Sequence, residues 1–107
     1  MSRTTRVRGQ FNALRADTAH YYLRENELNR LGYDLLHNGY PAQSVEVFKL
    51  NAILFPASFN VYDSYGDACR DTGLRGEAIF LYQCALALNP ASKGTQVSLR
   101  RLLDPPR

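Results

Sequence analysis

Histidine and cysteine are scarce in this chain of 107 residues, at two each, and tryptophan is absent. The scarcity leaves little for metal or nucleophilic chemistry. Asp34 and His37 stand three apart, a spacing that could begin a metal site, but no second ligand pair accompanies them, so a solvated histidine is expected. Cys69 and Cys84 lie 15 apart on different predicted helices. They read as small buried or half-buried thiols rather than a disulfide, which suits a cytoplasmic setting. Long apolar runs are missing too. The longest, residues 78–88, is interrupted by Gln83, so no membrane crossing is expected. The basic N-terminus has no apolar stretch behind it, which argues against a secretory signal. There is no G-x-S-x-G elbow, S-x-x-K, H-E-x-x-H, phosphate-binding loop or G-x-G-x-x-G. The expectation is a non-catalytic protein without cofactor or metal.

What the chain does contain is a repeat. Gly32, Gly39, Ser44, Phe48, Asn51 and Pro56 recur as Gly66, Gly73, Ala78, Tyr82, Ala85 and Pro90, each 34 positions on. Residues 25–58 therefore align without gaps to residues 59–92, as a stack of like supersecondary units requires. Each unit holds two stretches with helical apolar spacing. The first has Leu28, Leu31, Leu35 and Leu36, then Val45, Phe48, Ala52 and Leu54. The second has Val61, Tyr62, Tyr65 and Cys69, then Ile79, Tyr82, Ala85, Leu86 and Leu88. Asn38-Gly39 and Thr72-Gly73 separate the stretches, with glycine where a helix C-cap wants left-handed backbone. Pro41 suits the first turn of a helix, Pro56 and Pro90 end helices, and Ser58 and Ser92 suit the N-caps that follow. Helices are thus expected near residues 26–38, 42–54, 60–72 and 76–88. Gly32 and Gly66 fall mid-helix, where glycine costs about 1 kcal/mol against alanine. Their recurrence predicts close approach of a partner helix, and Ala78 and Ala85 predict the same on the second helix of their unit.

This pattern resembles the tetratricopeptide repeat. The second unit matches nearly every signature place. The first departs at Ser44 and Asn51, where the family usually has alanine, and Leu28 and Tyr62 stand where it has tryptophan. The resemblance covers residues 25–92 and extends to residues 93–103 as the opening of a third unit that serves as a cap. It implies an all-α fold of two helix-turn-helix hairpins with an N-terminal helix and a C-terminal capping helix. It also implies protein–protein interaction. The stretches around residues 25–33 and 59–66 are further similar to the short repeat tails that follow serine-hydrolase domains. That likeness implies an alternative role as an accessory domain acting with a separate enzyme.

In tetratricopeptide repeats the first helix of each unit lines a concave groove. The matching places are Asn26, Asn29 and Tyr33 in the first unit, and Asn60, Asp63, Asp67 and Arg70 in the second. Asp71 shares the face of Asp63 and Asp67, and Val97 and Arg101 take these places in the cap. Relatives that clamp a C-terminal carboxylate use lysine and arginine here, so that specificity does not carry over. The aspartates instead fit a basic or polar extended segment, with asparagine amides holding its backbone and Tyr33 offering a flat contact. The plainer reading is a solvated face.

Charge is distributed unevenly. Residues 1–24 carry five arginines against Asp17, residues 25–92 carry four basic against eight acidic residues, and residues 93–107 carry four basic residues against Asp104. A basic arm can touch nucleic acid, but no aromatic interleaving or nucleic-acid motif supports that here. Val7, Phe11 and Leu14 suit a short amphipathic helix over residues 4–16, followed by an irregular link over residues 19–23. About three repeats are usually needed for a stable stack. A homodimer is therefore expected, through the N-terminal helix or through Val97, Leu99, Leu102 and Leu103 of the cap. The alternative is that these helices fold back and seal a monomer.

Overall fold

The structure is a computed structural model that describes residues 18–104, with side chains from Arg24 onward. Five helices occupy the described residues: α1 (Thr18–His37), α2 (Pro41–Leu54), α3 (Phe59–Asp71), α4 (Arg75–Leu88) and α5 (Lys93–Leu103). No strand occurs among them. The predicted amphipathic helix over residues 4–16 lies outside the described residues. Residues 19–23 are helical, where the sequence reading expected an irregular link. They contain neither proline nor glycine, and extending a helix already nucleated adds one hydrogen bond per residue fixed.

The two units fold by the same backbone bonds, 34 residues apart. Gly39 and Gly73 adopt φ of 88° and 81°. Beyond them, the Tyr40 N–H donates to the Leu35 carbonyl and the Leu74 N–H to the Cys69 carbonyl, both at 2.8 Å. This six-to-one bond over a left-handed glycine stops the first helix of each unit and satisfies an orphan carbonyl. The second helices end alike, on Phe55 N–H to Asn51 and Asn89 N–H to Ala85. Ser58 and Ser92 do stand at N-caps, but their hydroxyls do not cap. Ser58 donates to Glu25 Oε2 at 3.1 Å, and Ser92 Oγ lies 2.8 Å from Thr95 Oγ1. For Ser58 the carboxylate is the stronger partner.

Helix α1 packs on α2 and α3 on α4, α2 meets α3 across the junction of the units, and α5 closes against α4. Phe48, Val61, Ala68, Ala78, Tyr82 and Ala85 are fully buried. The mid-helix glycines explain how. A Cβ on Gly32 would sit 2.5 Å from the Phe48 ring, and one on Gly66 would sit 2.7 Å from the Tyr82 ring. Each aromatic thus lies against bare helix backbone within its own unit. Ser44 and Asn51, which replace alanine in the repeat pattern, are also fully buried. Ser44 Oγ donates to the Gly32 carbonyl at 2.7 Å, and Asn51 Nδ2 to the Glu25 carbonyl at 3.1 Å. The first unit therefore stitches α2 to α1 with polar bonds where the second uses methyl groups.

On α5, Leu99 and Leu102 pack against the core of Cys69, Ala78, Leu81 and Tyr82. Val97 and Leu103 stay exposed. Cys69 and Cys84 are free thiols, and burial pushes the Cys69 thiol up to about 11. No helix among the described residues is long and apolar enough to cross a membrane.

Candidate functional site

Hydrogen bonds join the first helices of successive units into one polar face. Tyr33 on α1 and Asp67 on α3 occupy the same repeat position, and the Tyr33 hydroxyl donates to Asp67 Oδ2 at 2.6 Å. Asp63, one turn earlier on α3, accepts from Thr95 of α5 at 2.8 Å. Helices α1, α3 and α5 are thereby tied side by side through their side chains.

Asp67 is the hub. Its Oδ1 accepts from the Tyr82 hydroxyl at 2.6 Å, and Arg70 Nη1 stands 3.4 Å away. Arg70 also donates to the Tyr82 oxygen at 3.2 Å and, through Nε, to Asp71 Oδ1 at 3.0 Å. Short O–H···O⁻ bonds of this length are charge-assisted and stronger than neutral ones. Tyr82 reaches the hub only because Gly66 has no side chain. The ring crosses α3 at that glycine and its hydroxyl emerges beside Asp67.

The same pair of repeat positions is filled differently in the two units. In the first they hold Tyr33 and Phe48, whose rings meet edge to face with centroids 5.0 Å apart. In the second they hold Asp67 and Tyr82, which hydrogen-bond. The first pair is an aromatic contact and the second a polar one, and Tyr33 connects them. Tyr33 also lies 5.9 Å from the His37 ring.

Burial governs the electrostatics. It raises the pKa values of Tyr33 and Tyr82, and their bonds to Asp67 raise them further by favouring the neutral phenol. Asp63 is raised mainly by burial, with a further push from the Asp67 charge. The Thr95 hydroxyl and Arg70 act against both. For Arg70, burial alone would lower the pKa, but the bond to Asp71 and the charges around it prevail and hold it above its usual value.

Of the residues singled out in the sequence, Tyr33, Asp67, Arg70 and Asp71 come together, whereas Asp63 bonds Thr95 of α5 separately. Asn29 and Asn60 are half-buried on the same helices, and Asn26 is exposed. Asn29 Oδ1 is buried with no donor. Val97 and Arg101 lie exposed on α5. The aspartate row is not a uniformly solvated face, since Asp63 and Asp67 are committed to interhelical bonds and only Asp71 is largely open. Tyr82 and Thr95 escaped the sequence reading as site residues. For Tyr82 a signal existed: a buried tyrosine needs a partner for its hydroxyl, and phenylalanine fills the same place in the first unit. Among the described residues, no group of three or more histidine, cysteine or acidic side chains could hold a metal ion.

No family model matches the chain, and no curated protein is significantly similar to it.

Proposed function

We propose that the protein is a tetratricopeptide-type interaction module of the cytoplasm that binds an extended, basic segment of a partner protein along the face of α1, α3 and α5. The observation that carries this reading is the braced polar face itself. Tyr33, Asp63, Asp67, Tyr82 and Thr95 lock α1, α3, α4 and α5 together through buried or half-buried bonds, and that bracing holds the neighbouring groups in place before a ligand arrives. Preorganisation of this kind lowers the ordering cost of binding. Around the brace stand Asn26, Asn29, Asn60 and Asp71, which offer amide and carboxylate groups to a peptide backbone and its cationic side chains. The exposed Arg70–Asp71 pair is weak, with side chains 39% and 43% exposed, so an incoming arginine can take over Asp71 at little cost.

Self-association through the cap alone is the lesser use of the surface. Leu99 and Leu102 are spent inside the fold, which leaves Val97 and Leu103 as the apolar contribution of the cap. Two side chains fall far short of the roughly 1,200 Å² that a stable interface buries.

The test is calorimetric titration of the whole chain with an arginine- and lysine-containing peptide and with its glutamate counterpart. The basic peptide should bind, more weakly as salt rises, because exposed charges are screened over ~10 Å at 0.1 M. Asp63→Asn with Asp71→Asn should weaken that binding and flatten its salt dependence, leaving the Asp67 hub in place. Equal binding of the acidic peptide, or an unchanged double variant, overturns the reading. A natural partner bearing a serine-hydrolase domain would redirect it to the accessory role.

A further inference from the structure

The opposite face of the stack carries an apolar groove that the polar face does not explain. It is lined by Ala52 and Ile53 of α2, Tyr62 and Tyr65 of α3, and Phe80 and Leu81 of α4, with a volume of about 370 Å³. Ile53 and Phe80 stand 65% and 62% exposed, more than any other large apolar side chains among the described residues. Lys49 and Glu77 edge the groove. Glu46 and Glu77 also both raise the pKa of the Tyr65 hydroxyl, after burial and Cys69, so two carboxylates bear on this surface.

We propose that the N-terminal segment of the same chain docks in this groove, with Val7, Phe11 and Leu14 on Ile53, Tyr65 and Phe80, and its arginines toward Glu46 and Glu77. Three features favour that occupant. The segment carries one apolar stripe at helical spacing, with no counterpart on the polar asparagine and aspartate face. Its charges are Arg3, Arg6, Arg8 and Arg15 against Asp17, opposite in sign to the carboxylates beside the groove. It leads directly into α1, whose N-terminal half lies at the right end of the stack. The Glu25 carbonyl accepts from Asn51 and its carboxylate from Ser58, which places Glu25 beside the C-terminal end of α2, where Ala52 and Ile53 stand. Helix α1 continues about 10 Å past this point to Thr18, so the segment must turn back along it. The three residues between Leu14 and Thr18 span up to about 10 Å when extended. Docking in cis would supply the third layer of packing that two repeats lack.

Because the chain has no tryptophan, Phe11→Trp in the full-length protein provides a single indole reporter. Its fluorescence should be blue-shifted and its acrylamide quenching several-fold slower than in the urea-unfolded chain, unchanged on hundredfold dilution. Phe80→Asp, and separately Ile53→Asp, should restore free quenching while far-ultraviolet circular dichroism stays that of the parent, since both side chains are mostly exposed. Glu46→Lys with Glu77→Lys should weaken the shielding without apolar loss. An indole as quenchable as in the unfolded chain overturns the proposal, as does shielding that survives both groove variants. Shielding lost on dilution overturns it in favour of docking between copies.

Discussion

Adding one methyl group at Gly32 probes the packing on which both faces depend. In an ordinary helix, Gly→Ala stabilises by about 1 kcal/mol. Here the new Cβ would meet Phe48 Cε1 and Cζ at 2.5 Å and Cε2 at 2.8 Å. Carbon pairs are comfortable at about 3.5–4.0 Å, so the ring must retreat by roughly 1 Å. Phe48 is fully buried and Tyr33 packs edge-on against it, which leaves no slack. Overpacking of this kind costs ~1–3 kcal/mol, which outweighs the helix gain at all but its lower end. Net destabilisation of up to about 2 kcal/mol is expected, or up to roughly 16 °C in Tm for a domain of this size. Urea unfolding followed by circular dichroism measures it. Phe48→Leu shortens the ring and should rescue part of the loss, so the double variant should be more stable than the summed single effects by about 0.5–3 kcal/mol. If Gly32→Ala is stabilising, or if the two changes simply add, the aromatic does not lie on the glycine and the packing argument fails.

Other outcomes follow from the same contacts. Tyr82→Phe deletes the hydroxyl that bonds Asp67 and Arg70, and should cost about 1.5–3 kcal/mol, as hydrogen bonds to charged groups do, with the fold retained. Tyr33 and Tyr82 have folded-state pKa values raised above the ordinary 10.0, so their contribution is complete below pH 10 and is lost as pH rises beyond it. Alkaline unfolding should therefore be less steep in Tyr33→Phe and Tyr82→Phe than in the parent. Asp63 is likewise raised, so its protonated form is favoured in the fold. The advantage of the parent over Asp63→Asn should be largest below pH 3.8 and narrow as pH rises, read by urea titration at each pH. Asn51→Ala removes one bond to the Glu25 carbonyl but also an Oδ1 that is buried without a donor. The loss should stay within about 1 kcal/mol, and a much larger loss would show that Asn51 is better satisfied than its contacts indicate.

The hairpins were legible because backbone chemistry is local. Gly39 and Gly73 announce left-handed caps, Pro41 announces a helix start, and Gly32 and Gly66 announce a close crossing, all from residue type and spacing. The start of α1 was not legible. Residues 19–23 combine the good helix formers Ala19 and Leu23 with the middling His20, Tyr21 and Tyr22, and continuity with the helix behind them decides their state. The groove row was legible as a face, because helical periodicity places Asp63, Asp67 and Asp71 together. Its internal commitments were not. That Asp67 serves Tyr33 and Tyr82 depends on how far one ring passes over Gly66, and that Asp63 serves Thr95 depends on where α5 docks. Both are distances across the stack, which spacing along the chain does not encode. The apolar groove was equally hidden: Ile53 and Phe80 fall outside the apolar stripes of α2 and α4, but their spacing does not show that the two side chains line one surface with Tyr62 and Tyr65 of α3.

Amide chemical-shift mapping during titration with an arginine- and lysine-containing peptide tests the central proposal most directly. The account predicts saturable shifts concentrated at Asn26, Asn29, Asn60, Asp71 and Arg101, on α1, α3 and α5, that shrink as salt is added. Shifts clustered instead around Ile53, Tyr65 and Phe80, or none on either face, would contradict it.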